Sequence, residues 1–287
     1  MKKHNEALLA QQIAPVDRMQ KALTNRFITP LHDEIFRYLY NLREELDPDL
    51  RARYPQVSPG KPYPLGRCTE ITETVLSELR RRLARPAAPA ERAMAAFVKS
   101  GGILRPIWGA LRGQFFQNAT QLGAFYVDVA NDTVTVTKPK VEILPLDQAG
   151  MENVRDLAHF SEIAGKYWKA RIVANHVAPS LAPLLPMVAL FDDNQARLVS
   201  VCDYMIGMMM RDRFTMAEQW VTAMPSPPDE VISHYRARLP DSLRPADGVD
   251  GRQAAIDACR AARQAGQWKS QPWLTARMVE IGELVEL

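Results

Sequence analysis

Cys68 follows Gly66-Arg67 directly, at the point where the turn Pro62-Tyr63-Pro64-Leu65 gives way to residues of helical period. A thiol attacks as its thiolate, and both a helix N-terminus and a neighbouring cation such as Arg67 lower its pKa. Free amides in the first helical turn can hold an oxyanion, and Gly66 lets a substrate approach the backbone. Such a nucleophile also needs a base and an orienting group, distant in sequence and convergent in space. His159 and His176 are the candidate bases. Asp128 is the favoured orienter, with Asn118 and Asp132 beside it. The same position equally suits a thiol buried as a small apolar plug.

A second set of residues points to binding. Gln114, Gln117, Asn118 and Gln121 recur at spacings of three and four, which on a helix forms one polar face beside the aromatic pair Phe115 and Phe116. Arg67, Gln117, Asn118 and Gln121 are thus the candidate substrate-binding residues, lining a pocket for a small molecule or peptide. The alternative is a solvated helix face leading into a turn. Metal is the competing chemistry: Glu230 and His234 are four apart, His159 and Glu162 three apart. Neither an HExxH motif nor a cysteine pair accompanies them. No P-loop, dinucleotide-binding glycine fingerprint or GxSxG elbow occurs, so no cofactor is expected.

The stretch Gly66-Arg67-Cys68-Thr69-Glu70 is similar in outline to cysteine hydrolases and transglutaminase-like enzymes, whose nucleophile also opens a helix packed on a sheet. That resemblance spans only the residues around the cysteine. It implies a thiol nucleophile, and this sequence departs from it in having no histidine on the strands that follow the cysteine helix.

The elements that must position these groups are legible from periodicity. Residues 5–25 and 30–46 read as helices, Ile35, Leu39 and Leu42 forming the apolar stripe of the second. Prolines and glycines over 47–66 predict a loop. After Cys68, Ile71, Val75, Leu76 and Leu79 form a stripe, with Glu70 and Glu73 in the first turn and arginines in the last, matching the helix dipole. A short helix over 90–100 stops at Gly101-Gly102. In AFYVDVANDTVTVTK an Asn131-Asp132 loop predicts a hairpin pairing Val129 with Val134 and Val127 with Val136, with a further strand at Lys140–Leu144. From Gly150 onward helices dominate, and 196–214 is either a strand leading into a buried helix or helix throughout. The cluster Met205, Met208, Met209, Met210, Met216 and Met224 is read as core filling.

The expectation is α+β: predominantly helical, with a small antiparallel sheet around a central hairpin at about 124–144. One globular domain is expected over 1–287. It comprises a helical layer (1–50), a proline-rich loop (47–66), a helix and hairpin region (67–146) and a helical half (150–287).

Composition limits the partners. With 36 basic against 33 acidic residues in 287 and a net charge of +3, the bias is too weak to argue for nucleic acid. The basic run Arg80, Arg81, Arg82 and Arg85 complements a helix end. Three scattered cysteines form no disulfide framework, and neither a secretory leader nor a membrane span is discernible. A cytoplasmic protein without nucleic-acid or membrane partners is expected, with its oligomeric state unspecified. Three functions remain open: a cysteine-dependent amide hydrolase or acyl-transfer enzyme, a non-enzymatic ligand- or partner-binding adaptor, and a helical metalloenzyme using Glu230, His234 and His159.

Overall fold

The computed structural model describes residues 7–285 apart from 59, 193–194, 200 and 247. Met1, which opens the segment 1–6, lies outside the described residues. The chain divides into two compact units, Met1–Asn153 and Val154–Leu287. The fold is α+β, with all strand pairing among the described residues antiparallel.

In the first unit α1 spans Arg18–Leu23, and Asp17 caps it by accepting the Gln20 N–H at 2.8 Å. The helix predicted from residue 5 starts only here. Pro15 disfavours helical backbone at Ala14, and residues 7–16 instead carry a turn and an irregular strap. Helix α2 (His32–Arg53) has Asp33 and Glu34 in its first turn and Arg51 and Arg53 in its last. It runs through Pro48, past the predicted loop start, because Asp47 and Leu50 are both buried and hold the last turns down. A short ribbon, β1 (Gln56–Ser58) and β2 (Lys61–Pro62), occupies the rest of the proline-rich segment. Helix α3 (Cys68–Leu83) buries Ile71, Thr72, Val75, Leu76 and Leu79, and α4 (Pro89–Lys99) follows, ending before Gly101 at φ +92°.

The sheet comprises β3 (Leu104–Leu111), β4 (Phe115–Leu122), β5 (Phe125–Asp128), β6 (Glu142–Pro145) and β7 (Met151–Glu152), in the order β6-β5-β4-β3-β7. Its α3-facing side joins the main core with Ile35, Leu39, Met94 and Phe97, and Leu122, Val127 and Val129 contribute from the sheet region. The opposite face carries a smaller cluster of Ile107, Leu111, Ala119, Tyr126, Ala149 and Met151.

Two local expectations are corrected. The amide spacing over 114–121 suits one face of a helix, but Phe115–Leu122 form strand β4, whose register against β3 pairs Trp108 with Asn118 and Ala110 with Phe116. Period two therefore replaces period three to four, and Asn118 and Gln117 face opposite sides. Nor do Asn131 and Asp132 close a hairpin. Asn131–Thr133 form a 3₁₀ turn, and β5 pairs instead with β4 and β6. The turn residues have other tasks: Asp132 receives Arg43 Nη1 at 3.0 Å, and Asn131 donates to the Pro139 carbonyl at 2.8 Å. Val136 is left exposed.

Gly109 lies where β3 meets β7, and a Cβ there would fall inside contact distance of the Glu152 carbonyl oxygen. Gly109→Ala is expected to cost about 1–3 kcal/mol, as forced backbone shifts do. Urea unfolding measures this, and an unchanged midpoint would show that the β3–β7 pairing is dispensable.

The second unit holds α5 (Leu157–Trp168) and a three-stranded sheet of β8 (Arg171–Ala174), β9 (Met187–Leu190) and β10 (Ala196–Val199). Helices α6 (Asp203–Arg211), α7 (Thr215–Ala223), α8 (Asp229–Arg238), α9 (Gly251–Gln264) and α10 (Gln271–Val285) follow. Residues 196–211 are thus strand then helix, and Met205, Met208 and Met209 of α6 are buried. No helix among the described residues is long and apolar enough to cross a membrane.

Candidate functional site

Cys68 opens α3, with Arg67 as the N-cap residue and no side chain capping the first turn. The helix packs along β4: Thr72 Oγ1 donates to the Asn118 carbonyl at 3.2 Å, bringing the start of α3 over the middle of the strand. There Asn118 Nδ2 lies 3.6 Å from Cys68 Sγ and donates to Thr69 Oγ1 at 2.9 Å. Burial is the main influence on the thiol and pushes its pKa up, outweighing the Asn118 hydrogen bonds. All three cysteines are free thiols, and Cys259 is likewise pushed up by burial, to about 12.

The surroundings of Cys68 differ from the predicted constellation. Arg67 directs its guanidinium away, to Glu70 Oε1 at 2.6 Å, to the Gln56 carbonyl and over the Tyr54 ring at 5.2 Å. Asp128 lies on β5 one residue beyond Val127, the partner of Thr120. Strand alternation therefore turns it to the face opposite the thiol. It is fully buried, accepting from Gln117 Nε2 at 2.7 Å, Tyr126 Oη at 2.9 Å and Ala130 N at 2.7 Å. Burial lifts its carboxyl to about 6 despite those donors. Gln117 and Gln121 share that face, Gln121 bonding the backbone of Ala14.

Both candidate bases belong to the second unit. Neutral His176 must donate from Nε2 to the Val221 carbonyl at 2.8 Å, so its Nδ1 accepts from Ser226 Oγ at 2.8 Å. That carbonyl is among the last of α7, which would otherwise lack partners. The Thr222 carbonyl is taken in the same way by Arg252 Nη1 at 2.6 Å. His176 thus ties a helix end to the loop after it, and burial holds its pKa down. His159 lies in the first turn of α5, its Nδ1 3.3 Å from the Arg155 amide. In the first unit the one described histidine, His32, bonds Asp33 at 3.0 Å and packs against Phe125.

Comparison with protein-family models, curated proteins and solved structures finds no match to this chain.

The site therefore rests on its own geometry. Strand pairing sets Trp108 beside Asn118, and Trp108 stacks on Phe116 with ring centroids 5.2 Å apart. Thiol, amide and aromatic pair share the α3 side of the sheet. Gln11 completes the group, its Nε2 3.5 Å from Asn118 Oδ1. The sequence reading missed Gln11 and Trp108. Pro15 was the available signal, since it separates Gln11 from any helix beginning at Asp17. Among the described residues no three His, Cys, Asp or Glu side chains gather to hold a metal ion. Glu230 and His234 are exposed on α8, whose residues are nowhere buried.

Proposed function

We propose that this chain is a non-enzymatic binding protein in which the Cys68 thiol is a packed part of the site and not a nucleophile. The observation carrying this reading is Asn118 Nδ2 at 3.6 Å from Cys68 Sγ. A catalytic thiol needs a neighbour that takes its proton. A carboxamide is neutral and, whichever way it is turned, removes no proton from sulfur at neutral pH. The raised thiol pKa works in the same direction. What supports recognition is the Asn118 carboxamide, whose oxygen is met by Gln11 Nε2 at a long 3.5 Å that a ligand donor could replace, beside two stacked aromatic rings, the mixture that fixes the orientation of a small molecule or peptide.

Alkylation of the native protein by iodoacetamide at pH 7, followed residue by residue by mass spectrometry, tests this reading. Cys68 is expected to react no faster than Cys202, which serves as the internal reference. A Cys68 rate more than about tenfold above Cys202, a factor worth 1.4 kcal/mol, and persisting below pH 7 would return the thiol to the role of nucleophile.

A further inference from the structure

Residues 9–14 lie along β3 in a way that resembles a bound peptide more than a connecting segment. Four of the strap's residues present backbone atoms that the body of the first unit reads directly. Arg105 Nη2 donates to the Leu9 carbonyl at 2.8 Å, and the Trp108 N–H donates to the Gln11 carbonyl at 2.9 Å. Asn153 Oδ1 accepts from Ile13 N at 2.9 Å. Gln121 binds Ala14 twice, accepting its N–H at 2.8 Å and donating to its carbonyl at 3.0 Å. A side-chain amide that satisfies both backbone groups of one residue reproduces the pairing of a neighbouring strand. Ile13 packs against the cluster around Ile107 and Tyr126.

β7 pairs with β3 at Ala110 and Leu111; beyond it the Gln11 carbonyl meets the β3 edge at Trp108, and Ile13 and Ala14 lie on the face that carries Ile107 and Gln121. The strap's tip is its least satisfied part. Gln11 is the third residue of a turn closed by Gln12 N–H to the Leu9 carbonyl at 3.2 Å, with φ at +59°, a backbone region that favours glycine. Its Oε1 is buried with no hydrogen-bond partner, although its Nε2 reaches Asn118.

We propose that this side of β3 and β4 is a peptide-binding groove occupied in cis by residues 9–14, and that it takes an uncharged peptide segment of a partner, turned as the strap is at Gln11, when the strap lifts. The proposal rests on the binding function above and names its partner class and its regulation. Backbone-directed contacts make the groove tolerant of sequence. The strap's own composition, Leu-Ala-Gln-Gln-Ile-Ala, sets the preference for segments without charge. The left-handed, half-satisfied tip over Asn118 is where displacement begins, so a bound partner would replace Gln11 beside the Trp108–Phe116 stack.

The test uses the full chain with Ile13→Glu, which removes the strap's apolar anchor and leaves every groove residue in place. The probe is a labelled peptide of residues 7–16, Ala-Leu-Leu-Ala-Gln-Gln-Ile-Ala-Pro-Val, followed by fluorescence anisotropy. The variant is expected to bind it at least about tenfold more tightly than the parent chain, whose groove is filled, and Gln121→Leu in the variant is expected to abolish the gain. Equal binding by parent and variant, or binding indifferent to Gln121, overturns the proposal, as does a parent chain that runs as a strap-exchanged dimer. Should Ile13→Glu fail to fold, hydrogen exchange on the parent decides. The Trp108 N–H is expected to exchange at least about tenfold faster than the Thr120 N–H in the middle of the sheet, and equal protection sinks the idea. The Cys68 alkylation rate is independent of these outcomes, so failure of the groove and failure of the non-enzymatic reading remain distinguishable.

Discussion

Replacing Arg43 by methionine lowers the stability of the first unit by about 3–5 kcal/mol, the cost of removing one partner from a buried ion pair. Arg43 on α2 is fully buried, and its guanidinium joins that helix to the segment that follows β5. Nε bonds Asp47 Oδ1 at 2.5 Å, Nη1 bonds the Val129 carbonyl at 2.6 Å, and both terminal nitrogens reach Asp132 at 3.0 and 3.3 Å. Tyr63 Oη donates to Asp47 at 2.5 Å, and Lys140 closes the network on Asp47 and on Glu44. Methionine fills much of the space but leaves Asp132 without its cation, whereas Asp47 keeps Lys140 and Tyr63. Arg43→Met combined with Asp132→Asn is therefore expected to recover part of the loss, a coupling that a double-mutant cycle in urea measures. A loss below about 1 kcal/mol would mean that the network orients these elements without stabilising them. It also sets an acid limit. Burial pushes the Asp47 carboxyl up, but the bonds from Lys140, Tyr63 and Arg43 outweigh it and hold the pKa below its ordinary 3.8. A depressed folded pKa gives stability that is complete above the unfolded value and lost as pH falls below it.

Asp128 behaves in the opposite sense. Burial lifts its folded pKa from 3.8 to about 6. The raised value means the folded state binds the proton more tightly, so this contribution is full below pH 3.8 and fades as pH rises through about 6. At pH 8 the ionised carboxylate costs the fold about 3 kcal/mol, taking 1.36 kcal/mol for each pKa unit. Asp128→Asn removes the titration. Its carboxamide can still accept from Ala130, and once the Gln117 amide turns over it can donate to Gln117 Oε1, a buried acceptor that now lacks a partner, although the Tyr126 hydroxyl loses its acceptor. The stability of the variant relative to the parent should thus improve by roughly 2–3 kcal/mol between pH 4 and pH 8. Denaturant titrations at both pH values test this, and a difference that stays flat with pH would place the carboxyl near its unperturbed value.

Both effects sit in parts of the chain that the sequence made visible only in outline. The helices starting at His32 and Cys68 were legible from their apolar stripes, and the second also from its acidic first turn and basic last turn. The glycine stop after Lys99 and a strand over Lys140–Leu144, which overlaps the observed Glu142–Pro145, were legible for similarly local reasons. Asp128 and Asn118 stand among the candidate orienters in the sequence, and both are buried in the sheet. The period of 114–121 misled, because amides spaced three and four apart fit a helix face while the aromatic and β-branched residues among them suit a strand. Pairing with β3 resolved that conflict, and only the paired register puts Asn118 and Trp108 on one face and Gln117 on the other.

The amino-acid sequence by itself determined the α+β character, the position of Cys68 at a helix start and the polar character of β4, since each depends on neighbours within a few turns or one strand. Tertiary structure alone decided which groups meet the thiol. It placed the Asn118 amide beside the sulfur, turned Asp128 to the far side of the sheet, engaged His176 at the end of α7 and laid Gln11 over Asn118. Those outcomes depend on strand register and on contacts between residues as far as 107 positions apart. No local periodicity encodes them, because a one-residue change of register exchanges the two faces of a strand.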